Sequence, residues 1–433
     1  MTSSVKTKTI EGQIPLVGSV TPQGSRGLAL LCIYAACMGV EDVVIDNVPR
    51  IKFIENELDV IRSVGAKAEW RGVNRLVING SEIDTYQIPS EIGSKTRYSI
   101  LLAPVLLHKF TKAIVPKPSN TKIGNSKLVD HLNLFEQAGI KISEVESNWE
   151  FKFESWGAQE IHLVNASKSL TALSILISTL STEEVLINGC NIDTETEIFC
   201  SFCKEMGMGA TFLGDGSIKV KADSVLTSAK VEVASDREEV LFYSCLSVMT
   251  AGNITIEKVD KMSLLSILNE FTKLGISYEF SGDSMRVWSI GQSNLNNAVI
   301  KASYFPGILP EYTYYFCVLL SKSLESFVYN PFTNSEESFL RLLGEMGIDA
   351  SKAYPQDFGV SHDINQTALS ICIKQSNITP NTKIHVSDIR FGAVSLLLAL
   401  SAKGTSRISG FEELEEGFEN ITEKILNLGG RLY

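Results

Sequence analysis

The chain has 433 residues, 44% of them hydrophobic, and sets 39 Lys and Arg against 50 Asp and Glu for a formal charge of −11. At roughly 150 residues per domain, this predicts two large domains or a repetitive architecture, with ample apolar sequence for their cores. The acidic balance argues against a nucleic-acid protein, whose phosphate contacts need a basic surplus, but allows a local basic pocket.

From the start of the chain, Met1 to Lys6 lacks the apolar centre of a signal peptide. The longest nearly apolar run, Leu28 to Val40, is about 13 residues, too short to span a bilayer. The eight cysteines (32, 37, 190, 200, 203, 245, 317 and 372) mostly sit in apolar runs and read as small core hydrophobes of a reduced compartment. Cys200-Ser-Phe-Cys203 alone has motif spacing, and no second pair follows it to complete a metal site. A cytoplasmic protein without membrane or nucleic-acid partners is expected.

Along the chain a helix-like segment ending in glycine recurs six times, at Gly65, Gly139, Gly207, Gly275, Gly347 and Gly429. The intervals are 139−65=74, 207−139=68, 275−207=68, 347−275=72 and 429−347=82. Each glycine stands where a helix end calls for a left-handed residue. Upstream of each lies an apolar helix of about 15 residues, beginning near Gly24, Ser94, Ser167, Ser235, Pro310 and Ser387. Helices apolar nearly all round are buried on most sides. β-rich strings follow them, such as Val43-Val-Ile-Asp46, Ala113-Ile-Val115, Glu184-Val-Leu-Ile187 and Ile254-Thr-Ile256. The unit is strand–helix–strand–helix with further strands, about 70 residues long, and three units per domain is the natural division.

The helix starts concentrate the candidate chemistry. Arg26, Arg97, Lys168, Arg237 and Arg390 lie at five of the six, where a cation opposes the helix dipole and does little for stability. Ser25, Ser94, Ser167, Ser235 and Ser387 stand ready as caps. Free N–H groups, the positive dipole end and added cations together make an anion site. Aimed at one cleft, these starts would hold a substrate with two or more anionic groups; solvated or ion-paired surface cations are the plainer reading.

The period, with Ile45-Asp-Asn-Val-Pro49, Lys95-Thr-Arg97-Tyr-Ser99, Ile123-Gly124, Leu134-Phe-Glu-Gln-Ala-Gly139, Ser235-Asp-Arg-Glu-Glu239 and Ser387-Asp-Ile-Arg390, resembles the enolpyruvyl transferases over essentially the whole chain. It is nearer the branch acting on UDP-N-acetylglucosamine (the 1-carboxyvinyltransferases) than the 3-phosphoshikimate branch, although Ser167-Lys-Ser-Leu-Thr-Ala-Leu173 looks more like the latter. The resemblance implies an α/β (α+β) fold: a two-domain inside-out α/β barrel built from six repeats of a strand–helix–strand–helix–strand–strand unit. Its domains would be residues 22–230 and residues 1–21 plus 231–433, closing on the substrates.

The resemblance also implies the reaction, transfer of the enolpyruvyl group of phosphoenolpyruvate to an acceptor hydroxyl through a tetrahedral ketal, with loss of phosphate. The partners would be phosphoenolpyruvate and a nucleotide or nucleotide-sugar acceptor, with no cofactor and no metal. Arg26 stands at the family's phosphoenolpyruvate-binding lysine of the first helix, and Gly27 at an asparagine that touches the acceptor. Arg97 matches an arginine of the acceptor and interdomain region. Arg390, with Asp388, matches the arginine holding the phosphoenolpyruvate carboxylate. Asp236 and Arg237 match a string near the acceptor, or form an internal ion pair. Ser167 and Lys168 are further substrate-binding candidates. Glu311 stands near the catalytic aspartate, as base or hydroxyl orienter, or is simply a helix N-terminal acid. Asp193 and Glu195 fall near family acids, or are solvated turn residues.

Besides Arg26 and Gly27, departures lie in four places. Thr121 takes the place of the UDP-sugar branch's loop cysteine, with Lys122 next to it as a catalytic candidate. Ser126 replaces a loop arginine, with Lys127 adjacent. Pro331 and Glu416 each stand where a cation is expected. These losses leave open a non-catalytic relative that binds a nucleotide or partner with a degraded site, and the resemblance leaves a 3-phosphoshikimate 1-carboxyvinyltransferase as a further alternative.

Overall fold

The computed structural model describes residues 6–119, 126–164, 167–223, 225–289, 294–303, 305–329, 336–354 and 370–433. The chain forms two compact units, Gly24–Ala234 and Met1–Gln23 with Ser235–Tyr433.

Within Gly24–Ala234 there are three sheets among the described residues, and each repeats one pairing rule. In the first, Val43–Asp46 runs parallel to Lys230–Glu232 and antiparallel to Leu76–Asn79, which carries Lys67–Trp70 on its far side. The last strand of the unit therefore completes its first sheet. In the third, Val185–Asn188 is parallel to Glu160–His162 and antiparallel to Ile218–Val220, with Thr211–Phe212 outermost. The middle sheet, Lys112–Pro116, Asn148–Lys152 and Lys141–Val145, reduces the parallel partner to a single bridge between Gln87 and Ile114.

The unit containing Ser235–Tyr433 follows the same rule. Asn253–Ile256 is parallel to Val17–Val20 and antiparallel to Ser284–Trp288, and Glu325–Tyr329 is parallel to Val299–Lys301 and antiparallel to Ser370–Lys374. In its last sheet Thr405–Ser409 is parallel to Ile384–His385, while Thr7–Glu11 pairs antiparallel with both Thr405–Ser409 and Arg431–Leu432. Chain from the N-terminal end thus fills the place of a repeat's third strand.

Each unit is filled by helices rather than by its sheets' outer faces. Leu28 through Ala36 of the helix Arg26–Ala36 are all buried, as are residues 170–178 of Lys168–Ser178. In the other unit every residue of Arg237–Met249 and Thr313–Leu320 is buried, and residues 392–401 of Ile389–Ser401. Serines survive in these interiors because their hydroxyls donate back to the preceding turn, Ser174 to Thr171 O at 2.7 Å and Ser244 to Val240 O at 2.8 Å. The six periodic glycines all have positive φ, from +76° at Gly275 to +98° at Gly65, a region where a Cβ is strained. The arrangement is the expected mixed α/β repeat.

The second buried helix departs from expectation. It starts not near Ser94 but as a 3₁₀ turn, Tyr98–Leu102, which becomes the α-helix Ala103–Phe110. Pro104 lies in that α-helix's first turn, where its missing N–H costs nothing. Among the described residues no helix is long and apolar enough to cross a membrane, and no cluster of His, Cys, Asp and Glu could hold a metal. All eight cysteines are free and buried. Burial pushes the Cys200 thiol up to about 12, the opposite of what a reactive Cys-x-x-Cys pair requires.

Candidate functional site

Arg26 is the first residue of its helix, and the side chain of Ser25 accepts from Leu28 N at 3.3 Å as its cap. Lys168 opens the helix Lys168–Ser178 in the same way, capped by Ser167, which accepts from Leu170 N at 3.2 Å. The two starts adjoin, since a Cβ added at Gly27 would lie 3.8 Å from Lys168 Nζ. Arg26 and Lys168 are both half-buried. The serine caps, being neutral, add no negative charge of their own to these starts.

Lys168 is not a solvated cation. Its ammonium pairs with Glu195 and lies 4.0 Å from Asp193 Oδ2. Both acids are buried, which overturns the solvated-turn reading of Asp193 and Glu195. Asp193 caps the helix Thr194–Glu205, accepting from Thr196 N at 2.9 Å, and this capping draws it inward. Glu195 reaches far enough inside to help raise the Cys32 thiol, though burial does most of that. Behind the third helix start, His131 Nε2 lies 3.2 Å from Ser169 Oγ, itself 3.0 Å from Ser167 Oγ.

Arg97 occupies the N-cap position of the 3₁₀ turn Tyr98–Leu102, without a cap hydrogen bond from its side chain. Its guanidinium stacks 4.7 Å from the Tyr98 ring centroid and donates to Tyr98 Oη at 2.7 Å. Ser94, expected as a cap, has no such role. Close by is a residue that sequence reasoning missed: Glu57, 1% exposed, on the helix Lys52–Arg62. It accepts from Tyr34 Oη and from Thr96 Oγ1, each at 2.6 Å. Burial pushes its carboxyl up to about 7, against the two hydroxyl donors and the Arg97 charge, which favour the anion. Glu57 falls in phase with the apolar stripe of Ile54, Leu58 and Ile61, and that mismatch was the available signal.

In the other unit the caps are acidic. Asp236, not Ser235, caps the helix Arg237–Met249 and accepts from Glu238 N at 2.8 Å, while Ser235 Oγ donates to Lys258 O at 2.7 Å. Asp388, not Ser387, caps Ile389–Ser401 and accepts from Arg390 N at 2.9 Å and Phe391 N at 3.1 Å. A carboxylate satisfies these donors with a full charge at the positive helix end, so it outcompetes the adjacent hydroxyl. Arg390 turns back toward its own cap, Nε 3.9 Å from Asp388 Oδ1, both side chains well exposed.

Arg237 is buried at the start of its helix, among acids. Glu238 accepts from Tyr315 Oη at 2.8 Å. Glu239, fully buried, accepts from Lys424 Nζ at 2.7 Å, Gln23 N at 2.5 Å and Tyr243 Oη at 3.1 Å. Burial raises the Glu239 carboxyl above the ordinary range and Lys424 opposes the rise. Glu311 is half-buried in the 3₁₀ turn Pro310–Tyr312, and its carboxylate has no ion pair among the described residues. The acidic run before Glu416 is partly met by Lys6, whose Nζ is 2.5 Å from Glu415 Oε2 and whose N donates to Glu412 at 2.9 Å. Thr121, Lys122 and Pro331 lie outside the described residues, as does the side chain of Lys127.

The structure therefore brings Arg26, Ser167 and Lys168 together and sets Arg97 beside a buried acid in the same unit. Residues 10–300 match the family described as EPSP synthase (3-phosphoshikimate 1-carboxyvinyltransferase). The UDP-N-acetylglucosamine 1-carboxyvinyltransferase of Treponema denticola is 23% identical over 430 residues, 98% of either chain. That of Bradyrhizobium diazoefficiens is 26% identical over 430 residues, 98% of this chain and 96% of its own. Among solved structures, the enolpyruvyl transferase NikO from Streptomyces tendae superposes with a TM-score of 0.86 at 16% identity, covering 100% of this chain and 99% of its own. An EPSP synthase from Acinetobacter baumannii gives 0.72 at 14%, covering 99% of this chain and 100% of its own. At such identities these structures speak to the fold.

Proposed function

This chain belongs to the EPSP synthase family of carboxyvinyltransferases, and from that premise we propose that it transfers the enolpyruvyl group of phosphoenolpyruvate to a hydroxyl of an anionic acceptor, UDP-N-acetylglucosamine or another nucleotide. The relatives aligned over nearly the whole chain carry the UDP-sugar name, which supports that acceptor class over a shikimate phosphate. The observation that carries the reading is the pair of adjoining, neutrally capped helix starts bearing Arg26 and Lys168.

The chemistry sets the demands. The acceptor oxygen adds to C2 of phosphoenolpyruvate as a proton reaches C3, giving a tetrahedral ketal. Loss of a C3 proton then expels inorganic phosphate and restores the double bond. Phosphate and carboxylate need cations and N–H donors, the acceptor hydroxyl a base, and C3 a proton donor. Arg26 and Lys168, with the N–H groups of their helix starts, meet the phosphate; Glu195 offsets part of the Lys168 charge. Arg390 serves the carboxylate, with Asp388 fixing its first turn. Arg97, Asp236 and Arg237 serve the acceptor, and Glu311 orients or deprotonates its hydroxyl. Lys122, Thr121 and Lys127 complete the assignment from the loop. No step calls on a cofactor, and we place the protein in the cytoplasm, a reducing compartment in keeping with its free buried thiols.

Release of inorganic phosphate tests this. The protein mixed with phosphoenolpyruvate and UDP-N-acetylglucosamine, or another nucleotide, releases phosphate at a steady rate. Release only with shikimate 3-phosphate moves the assignment to the other branch, and no release with any acceptor overturns it.

A further inference from the structure

We propose that Glu57 is a positioning residue for Arg97, holding through Thr96 the turn that presents the Arg97 guanidinium to the acceptor. The inference rests on the reading of Arg97 as an acceptor contact. Glu57 ties together three elements of one unit. Tyr34, from the buried helix Arg26–Ala36, donates to one carboxylate oxygen at 2.6 Å, and Thr96, from the turn before Tyr98–Leu102, donates to the other at 2.6 Å. Thr96 Oγ1 also accepts from Tyr98 N at 3.1 Å, so one hydroxyl links the buried acid to the first residue of the 3₁₀ turn. Arg97 sits between these two, and its stack on Tyr98 depends on where that turn is held.

Packing alone does not call for an acid here. A leucine would continue the stripe of Ile54, Leu58 and Ile61, whereas a buried carboxyl must be hydrogen-bonded on both oxygens to be tolerated. Two other cations of the molecule are held directly, Lys168 by Glu195 and Lys424 by Glu239. Arg97 has no carboxylate within ion-pair distance among the described residues, and its one hydrogen bond goes to Tyr98 Oη. Glu57 touches it only as a nearby charge, not by a hydrogen bond, so the rest of its planar fork is left for a carboxylate or phosphate of the ligand. The arrangement orients the guanidinium without consuming it.

The test compares wild type with Glu57→Gln and Thr96→Val, each also combined with Arg97→Ala. Glu57→Gln keeps the volume but presents an N–H₂ group to one hydroxyl; Thr96→Val keeps the shape and removes the link. In each single variant the acceptor KM rises about tenfold while kcat stays within about twofold, the pattern of lost binding that is shared by ground and transition states. In the Arg97→Ala background neither change has a further effect, because they act through that side chain. Crystal structures of the two single variants show the guanidinium displaced from the Tyr98 ring. The proposal is overturned if Arg97 keeps its stack in both, or if the KM effect persists without Arg97. Should wild type turn over no acceptor, the functional reading fails on its own, and the position of Arg97 in the two crystal structures still decides the role of Glu57. If Glu57→Gln fails to fold, Thr96→Val carries the test.

Discussion

The two units solve the start of a buried helix in opposite ways. In Gly24–Ala234 the helices opening at Arg26 and Lys168 are capped by Ser25 and Ser167, which put no charge against the helix dipole, although Glu195 offsets the Lys168 charge. In the unit containing Ser235–Tyr433 the helices opening at Arg237 and Ile389 are capped by Asp236 and Asp388, and Glu238 and Glu239 follow the first of them. A carboxylate cap stabilises its helix but cancels the field an anion would feel. The first unit keeps that field at some expense in helix stability. A cation at a repeat's helix start thus stands beside a neutral cap in one unit and beside a carboxylate in the other.

The largest expected effect lies in the second unit and concerns stability. Lys424→Met removes the partner of the fully buried Glu239, and breaking such a pair costs about 3–5 kcal/mol. A urea titration shows this as a lowered midpoint; an unchanged midpoint would mean that the acids of this unit are held by something other than charge.

Next comes pH. The Glu57 carboxyl is raised to about 7 when folded, so between its ordinary value and that point the native state binds more protons than the unfolded chain. Its contribution to stability is thus present at low pH and lost as pH rises through about 7, by about 3 kcal/mol over that span. Glu57→Gln flattens the decline in thermal melts taken from pH 5 to 8. A decline as steep in the variant would show that other groups carry it, Glu239 first among them, since its carboxyl is raised as well.

The smallest effect sharpens the comparison of caps. Asp388→Ala and Ser25→Ala each cost about 1 kcal/mol. With rising salt the Asp388 penalty shrinks and the Ser25 penalty holds, because only the former contains an ion–dipole component. Equal salt dependence would remove the distinction between the two kinds of start.

Much of this was legible in the sequence, for identifiable reasons. Helix ends announced themselves because Gly65, Gly139, Gly207, Gly275, Gly347 and Gly429 all take positive φ, a backbone region that favours glycine. The buried helices and the strands after them followed from apolar periodicity. The caps were misread where two candidates stand side by side: Ser235 beside Asp236 and Ser387 beside Asp388 compete for the same donors, and the acid wins both times. The burial of Glu57 and Glu195 was hidden because each is compensated from far away in the chain. Tyr34 lies 23 residues from Glu57, Thr96 lies 39 from it, and Lys168 lies 27 from Glu195. A carboxylate reads as exposed until its distant partner is known.

The most direct test is the thermal shift produced by phosphoenolpyruvate in wild type and in Arg26→Gln, a change at a half-buried side chain that leaves the Ser25 cap in place. A ligand at 100 times its Kd stabilises the fold by about 2.7 kcal/mol, so wild type melts several degrees higher with it. The account predicts that Arg26→Gln loses most of this shift. An equal shift in the variant would contradict the claim that the neutrally capped helix starts hold the anion.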